Sequence, residues 1–359
     1  MDFFEQMEAR IPHGEVRTRF APSPTGYMHV GNLRTALYTY LIARHANGTF
    51  ILRIEDTDQG RLVEGATDVI YRTMAECGLS HDEGPDVGGP VAPYIQSERR
   101  DTYGRYAELL VERGHAYYCF CEKAESEEDS GEFDRADDPC RDLPLEEAKA
   151  RVAAGEPYVI RQRIPKDGTT TFHDASFGDI TVENKTLDDQ VLLKRDGLPT
   201  YNFANVIDDH LMRTTDVIRA DEWLSSLPVH VQMFETMGFP VPRYTHLSPI
   251  MKLEEKEGGS VSRRKLSKRK DPEARVGYYD EAGYPVPAVL DYLLTISSAD
   301  YEPWRAEHMD EPVTAFPLDI TKTGAAGALF DFNKLASVAR SRVAHMTQDE
   351  VFAAVSDWA

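Results

Sequence analysis

The sequence predicts an α/β fold: a parallel nucleotide-binding sheet, split by an α+β insertion and followed by a mostly helical region. Three observations predict it. Residues 16–54 run strand, Pro/Gly loop, helix, strand, the order of half a nucleotide-binding sheet. At 116–195 the character changes to short strands and hairpins, with one helix near 144–154. Parallel-type strands then resume at 200–206 and 214–220, so a unit of domain size interrupts the first one.

Each element has its own signal. Residues 1–15 read as a lead-in. Val16-Arg17-Thr18-Arg19-Phe20 is rich in β-formers, and Ala21-Pro22-Ser23-Pro24-Thr25-Gly26 cannot continue its ladder. Val30, Leu33, Leu37, Tyr40 and Leu41 recur at helical spacing, and Asn47-Gly48 closes that helix. Thr49–Ile54 is a second strand. Helices are predicted at 63–77, 98–113 and 223–237, and Asp196-Gly197 marks a hairpin turn. After 255 the chain is loop-rich and basic, then helical from about 286. The acidic run 122–138 reads as a solvated loop.

Composition narrows the class. The chain has 359 residues, 61 acidic and 40 basic side chains, and a net charge of −21. A protein coating nucleic acid non-specifically is normally basic, so any basic surface here must be local. Apolar residues make up 41%, which excludes a mainly disordered chain. No apolar run approaches the ~20 residues of a membrane span, and the first residues lack a signal-peptide pattern. Four cysteines suit a reduced, cytoplasmic protein.

Two constellations carry chemistry. Pro22 to Asn32 leads from a strand into a helix start, where free N–H groups and the helix dipole favour phosphate. Gly31 allows close approach of a nucleotide, and His29 can donate to phosphate oxygens. Alone, His-x-Gly reads as a Pro/Gly loop with a surface histidine rather than as a phosphate site. The second is Arg263-Arg264-Lys265-Leu266-Ser267-Lys268-Arg269-Lys270, with six basic residues of eight. After Gly258-Gly259 it reads as a mobile loop whose lysines clamp a triphosphate. Alone, it reads equally as a solvated basic patch.

Together the two resemble the paired signatures of class I aminoacyl-tRNA synthetases: HIGH as His29-Val30-Gly31-Asn32, KMSKS as Lys265-Leu266-Ser267-Lys268-Arg269. The flanks Arg17–Gly26, Leu52-Arg53-Ile54-Glu55-Asp56-Thr57-Asp58, Asp82–Pro85, Pro199–Asn205, Asp208-Asp209-His210 and Val217–Trp223 resemble the glutamyl-tRNA synthetase family. Gly327–Asp331 resembles the opening of its helical domain. The resemblance implies a Rossmann-like catalytic domain at 16–97 and 197–255 and an acceptor-binding insertion at 98–196. It further implies a stem-contact domain with the lysine loop at 256–330 and the start of a helical domain at 331–359. The chain ends inside that last unit, so the expectation is a piece without the anticodon-binding domains.

The resemblance also implies roles. Glutamate is held by Arg19, Ala21, Ser23, Glu55, Tyr201, Asn205 and Arg219. An amino acid with two carboxylates and one ammonium wants two arginines and one acid, and an arginine fork tells a carboxylate from an amide. ATP, with Mg2+, falls to Thr25, His29, Gly31, Asn32, Glu222, Ile250, Lys265 and Lys268, with His29, Asn32, Lys265 and Lys268 catalytic. The family often has histidine where Asn32 stands. Asp56-Thr57-Asp58 reads as helix capping. Cys119, Cys121 and Cys140 match a zinc site in some members, with Asp142 as fourth ligand; Ala136 stands at the other family position. The alternative is reduced cysteines. Cys77 reads as core. The expected activity is ligation of L-glutamate to tRNA(Glu) by a cytoplasmic monomer that does not bind membranes. The alternatives are a glutamyl-queuosine tRNA synthetase-like paralogue and a class I-type small-molecule adenylyltransferase.

Overall fold

The computed structural model describes residues 2–121, 138–255, 260–322 and 327–358. Most of the acidic run, with Ala136, lies outside the described residues, as do Gly258 and Gly259.

The chain opens with helix α1 (Phe3–Glu8), which Asp2 and Glu5 cap reciprocally. This replaces the expected lead-in; Phe3, Phe4 and Met7 pack against the core that holds Tyr106. Strand β1 (Arg17–Phe20), helix α2 (Val30–His45) and strand β2 (Thr49–Leu52) follow as predicted. Helix α3 (Ala66–Glu76) begins after Gly65, whose φ of 77° ends the preceding turn. Helix α4 (Arg100–Glu112), strand β3 (Ala116–Cys119), helix α5 (Leu145–Ala153) and strand β4 (Val159–Gln162) come next. Then come β5 (Thr169–Asp174), β6 (Gly178–Glu183) and β7 (Val191–Leu193).

The segment expected as a strand at 200–206 is helix α6 (Tyr201–Leu211). Its Tyr and Phe have strand propensity, but Phe203, Val206, Ile207 and Leu211 share a helical stripe in the core. Strand β8 (Asp216–Ala220), helix α7 (Leu227–Met237) and strand β9 (Arg243–Leu247) complete the α/β unit. After β10 (Ile250–Glu255), the stretch beyond 255 that was expected as loop contains β11 (Val261–Lys265), which pairs antiparallel with β10. Arg263, Arg264 and Lys265 stand in succession along β11, so charge on both faces masked its strand period. The remaining elements are α8 (Gly277–Glu281), α9 (Val286–Thr295), α10 (Tyr301–Glu307), β12 (Ala328–Leu329), α11 (Phe332–Ala344) and α12 (Gln348–Trp358).

The central sheet runs β2-β1-β8-β9-β5-β6. All pairs are parallel except β5–β6. The β5–β6 hairpin lies in the stretch read as an insertion, yet it extends this sheet through β9. A smaller antiparallel sheet, β3-β4-β7, stays within that stretch. The Asp196-Gly197 turn forms, with Lys194 N–H donating to the Leu198 carbonyl at 2.8 Å. One core lies between α2 and the sheet, through Leu33, Leu37, Leu41, Phe50 and Ile218; Cys77 is part of it. The other lies between α6, α7 and the opposite face, through Phe203, Ile207, Phe234 and Val217. Val217 and Ile218 are neighbours in β8 facing opposite cores, as strand alternation requires. No helix of the described residues is long and apolar enough to cross a membrane.

Candidate active site

The sheet order sets where the site lies. β2 and β8 flank β1 on opposite sides, so the chain reverses direction at β1. In open α/β sheets ligands bind outside the carboxyl ends of the strands at this switch point. Arg19 lies near that end of β1 and Arg219 near that end of β8. Glu55 follows β2, and the loop from Ala21 to Met28 crosses the gap. Tyr201 and Asn205 stand one turn apart on α6, beside β8.

The polar groups here are buried and tightly paired. Arg19 forks onto Asp209, Nε to Oδ1 at 2.9 Å and Nη2 to Oδ2 at 3.1 Å. Arg53 reaches the same carboxylate at 2.8 Å and Glu55 at 2.9 Å. Asn205 bridges Arg19 Nη2 (3.1 Å) and Asp209 Oδ2 (3.2 Å) with its amide oxygen toward the arginine. Burial alone would raise the Asp209 pKa, but Arg19 and Arg53 outweigh it and hold the carboxyl at about 2. Burial opposes the Arg19 charge, yet Asp209 leaves its pKa above the ordinary value. For Glu55 burial wins over Arg53 and Arg19, and its pKa is raised.

Arg219 is built differently. Its Nη1 lies 3.3 Å from the Tyr201 hydroxyl and its Nη2 donates to the Trp223 carbonyl at 3.4 Å. Its Nε donates to His246 Nε2 at 2.9 Å. Among the described residues these partners are uncharged. Tyr201 stacks on Trp223 with centroids 3.9 Å apart, which fixes the phenol beside the guanidinium.

The second half of the site lies where α2 begins. His29 is the N-cap of α2, its Nδ1 accepting from Gly31 N–H at 2.9 Å. Its Nε2 lies 3.2 Å from the Leu266 carbonyl, so the β11 loop meets the helix start. Burial, then Lys268 and Lys265, lower the His29 pKa. Lys265 pairs with Glu222 at 2.7 Å, and Lys268 donates to the Tyr27 carbonyl. Burial lowers the Lys268 pKa. Arg264 forks onto Asp271, which also accepts from Ser267 N–H at 2.9 Å. These contacts, with buried Leu266, tie down the loop that bears both lysines. Asn32 and Ser23 are exposed, and Ala21, Thr25 and Gly31 are half-buried. Ile250 is a core side chain, with its carbonyl accepting from Leu266 N–H at 2.9 Å.

The sequence reading missed Arg53, Asp209, His230, His246 and Asp174 as members of this network. Asp208-Asp209-His210 was visible as a motif, but only the helix shows that its two acids diverge. Asp208 binds Arg99, Gln96 and Tyr103 instead, joining α6 to α4. Asp56-Thr57-Asp58 does not cap the turn that follows it: Asp58 makes no side-chain cap bond there, and Asp56 accepts instead from the distant Ser97 N–H and Oγ.

The cysteines converge, with one correction. Cys119, Cys121, Cys140 and Asp138 bring their ligand atoms within 4.8 Å of one another. Asp142 does not join; its side chain is 93% exposed and faces Arg163 at 3.7 Å. Asp138 is brought in because its Oδ1 accepts from Cys140 N–H at 2.9 Å, turning the carboxylate toward the thiols. The Cys121 and Cys140 sulfurs are 3.7 Å apart. A tetrahedron of ~2.3 Å zinc–sulfur bonds has edges of about 3.8 Å, so this donor set fits zinc. Tyr117 donates to Asp138 Oδ2 at 2.8 Å, as an outer-shell partner does.

A doubly covered parallel sheet, a His-x-Gly helix start at its switch point and a lysine loop facing that start define a nucleotide-binding domain of the class I synthetase type. Residues 15–331 match the family described as tRNA synthetases class I (E and Q), catalytic domain, and the chain belongs to that family. It is 54% identical over 328 residues to a glutamate–tRNA ligase of Clostridium botulinum, covering 89% of this chain and 65% of that protein. A glutamate–tRNA ligase of Clostridium novyi is 50% identical over 338 residues, 94% of this chain and 67% of that one. A glutamate tRNA ligase from Elizabethkingia meningosepticum, crystallised with its amino acid, superimposes with a TM-score of 0.83 at 38% identity, over 94% of this chain and 71% of that one. The chain thus spans about two thirds of the length of its curated relatives.

Proposed function

We propose that this chain activates L-glutamate with ATP and transfers it to the 3′ end of tRNA(Glu). The observation that carries the reading is Arg219: a buried guanidinium beside Tyr201 whose partners among the described residues are uncharged. A buried cation without an anion is costly, and a substrate side-chain carboxylate supplies one. Arg19 has spent Nε and Nη2 on Asp209, and its Nη1 remains for a carboxylate oxygen, which Ser23 and the Ala21 backbone would also meet. Glu55 faces the substrate ammonium, which would favour its ionised form against burial.

In the chemical step an α-carboxylate oxygen of glutamate forms a bond to the α-phosphorus of ATP. The bond to the bridging oxygen breaks and pyrophosphate leaves. A hydroxyl of the terminal adenosine then attacks the acyl carbon, and AMP departs with the bonding electrons. Mg2+ accompanies ATP and offsets phosphate charge. The protein orients and stabilises: the α2 start, His29, Asn32 and Gly31 face phosphate, with Thr25 alongside. Glu222 faces the ribose, Ile250 flanks the adenine, and Lys265 and Lys268 meet the charge growing on pyrophosphate. Lys265 must leave Glu222 for this.

We also assign Cys119, Cys121, Cys140 and Asp138 to a structural zinc ion that would fasten the segment after 138 to β3. The stretch 98–196 would take the acceptor end of tRNA and 256–330 its stem, in a cytoplasmic monomer. Glutamate-dependent ATP–pyrophosphate exchange, with and without tRNA, tests the reading; exchange with glutamate and none with glutamine supports it.

A further inference from the structure

The carboxyl ends of the sheet carry two buried arginines in opposite electrostatic settings. Arg19 is neutralised by a bidentate carboxylate. Arg219, 5% exposed, meets a ring nitrogen where Arg19 meets Asp209. That ring is fixed in turn. Nε–H of Arg219 is a donor, so His246 Nε2 must be the unprotonated nitrogen, and the ring proton sits on Nδ1. Nδ1–H donates to Asp174 Oδ2 at 2.7 Å. Asp174 and His246 are both wholly buried. Asp174 is held by the backbone: Ser176 N–H at 2.9 Å, Phe177 N–H at 3.1 Å and His246 N–H at 3.1 Å. On the other side, His230 Nδ1 lies 3.4 Å from both Nη atoms, and its Nε2 is 2.9 Å from Asn202 Oδ1.

We infer that Asp174 and His246 are positioning residues that set the amino-acid specificity of the site, holding Arg219 by its Nε while leaving its charge unneutralised for a substrate carboxylate. The inference rests on the reading of Arg219 given above. An acid placed directly on Nε would orient the guanidinium equally well. It would also cancel the charge, and an amide side chain would then compete with a carboxylate. The neutral ring keeps Asp174 one imidazole away and presents only a lone pair. Burial lowers the His246 pKa against the pull of Asp174, with Arg219 adding to the effect, so the ring stays neutral. A site built around an uncompensated buried charge rejects the neutral analogue because that charge is left unpaired.

The test uses the chain itself and two probes, the sulfamoyl analogues of glutamyl- and glutaminyl-adenylate, titrated calorimetrically. The native chain should prefer the glutamyl analogue. His246→Ala should weaken that analogue by about tenfold or more and the glutaminyl one by less than about threefold, so discrimination falls. His246→Gln, with an oxygen for Arg219 and an N–H for Asp174, should restore most of it. Asp174→Asn sets an NH2 group against N–H donors in either orientation, disfavouring the required tautomer, and should mimic His246→Ala. If His246→Ala does not fold, Asp174→Asn and His246→Gln decide. Unchanged discrimination in folded His246→Ala and Asp174→Asn overturns the inference, as does equal loss of both analogues, which marks a merely structural role. Failure of the native chain to prefer the glutamyl analogue instead overturns the reading of Arg219 itself.

Discussion

Asp209 carries two arginines, Arg19 and Arg53, at one buried carboxylate. Its pKa of about 2 lies below the ~3.9 of an unfolded aspartate. The folded state therefore binds fewer protons in that range. The stabilisation is complete above about pH 4 and is lost as pH falls toward 2. Asp209→Asn leaves Arg19 without its carboxylate and Arg53 with Glu55 alone, and should cost about 3–5 kcal/mol at pH 7 in urea unfolding. The gap between native chain and variant should narrow at pH 3; a pH-independent gap contradicts the charge account. Arg219→Ala should lower the specificity constant for glutamate by the equivalent of about 2–5 kcal/mol, since a desolvated charge contact is removed. Equal constants for variant and native chain would remove Arg219 from the pocket. At this scale Arg19, Glu55, Tyr201, Asn205 and Arg219 were legible because motif context singles them out. Asp209, His246 and Asp174 were not, because they come from three separate elements, and their roles exist only once β5, β9 and α6 converge.

The lysine hairpin and the cysteine pair are local elements with separable tests. Lys268 sits on the loop that Arg264 and Asp271 tie down, within reach of the α2 start. Lys268→Ala should slow single-turnover adenylate formation by on the order of 10²-fold while glutamate binding changes little, because its contact strengthens as pyrophosphate charge develops. A solvated patch would instead leave that rate intact and alter only salt-dependent tRNA affinity. For the cysteines, elemental analysis of protein purified without added metal should find about one zinc per chain, lost in Cys140→Ser. Less than a tenth of an equivalent would leave Cys119, Cys121 and Cys140 as reduced thiols. Sequence placed the three cysteines and named Asp142 as the fourth ligand without considering Asp138, since which carboxylate turns inward depends on a backbone bond to Cys140. The segment 201–211 was misread as a strand because Tyr201 and Phe203, both strand formers, alternate at its start, and the helical stripe shows only once Val206, Ile207 and Leu211 are counted with Phe203.

Across the whole molecule the predicted order, an α/β half, a long intervening stretch and a second half, is the order the chain adopts. The sheet β2-β1-β8-β9-β5-β6 shows what was not legible: the intervening stretch lends β5 and β6 to the central sheet. No local pattern announces a pairing such as Asp174 with Tyr244, about seventy residues apart. This pairing brings Asp174 to the pocket, so the second half of the specificity device comes from outside the nucleotide-binding halves. The central claim is that the switch point of this sheet activates glutamate through a buried, uncompensated arginine. The most direct measurement is ATP–pyrophosphate exchange with saturating ATP, comparing glutamate with glutamine, with tRNA(Glu) present and absent. The account predicts exchange with glutamate and none above background with glutamine, in at least one of the two tRNA conditions. Equal exchange with both amino acids, or none with glutamate in either condition, would contradict it.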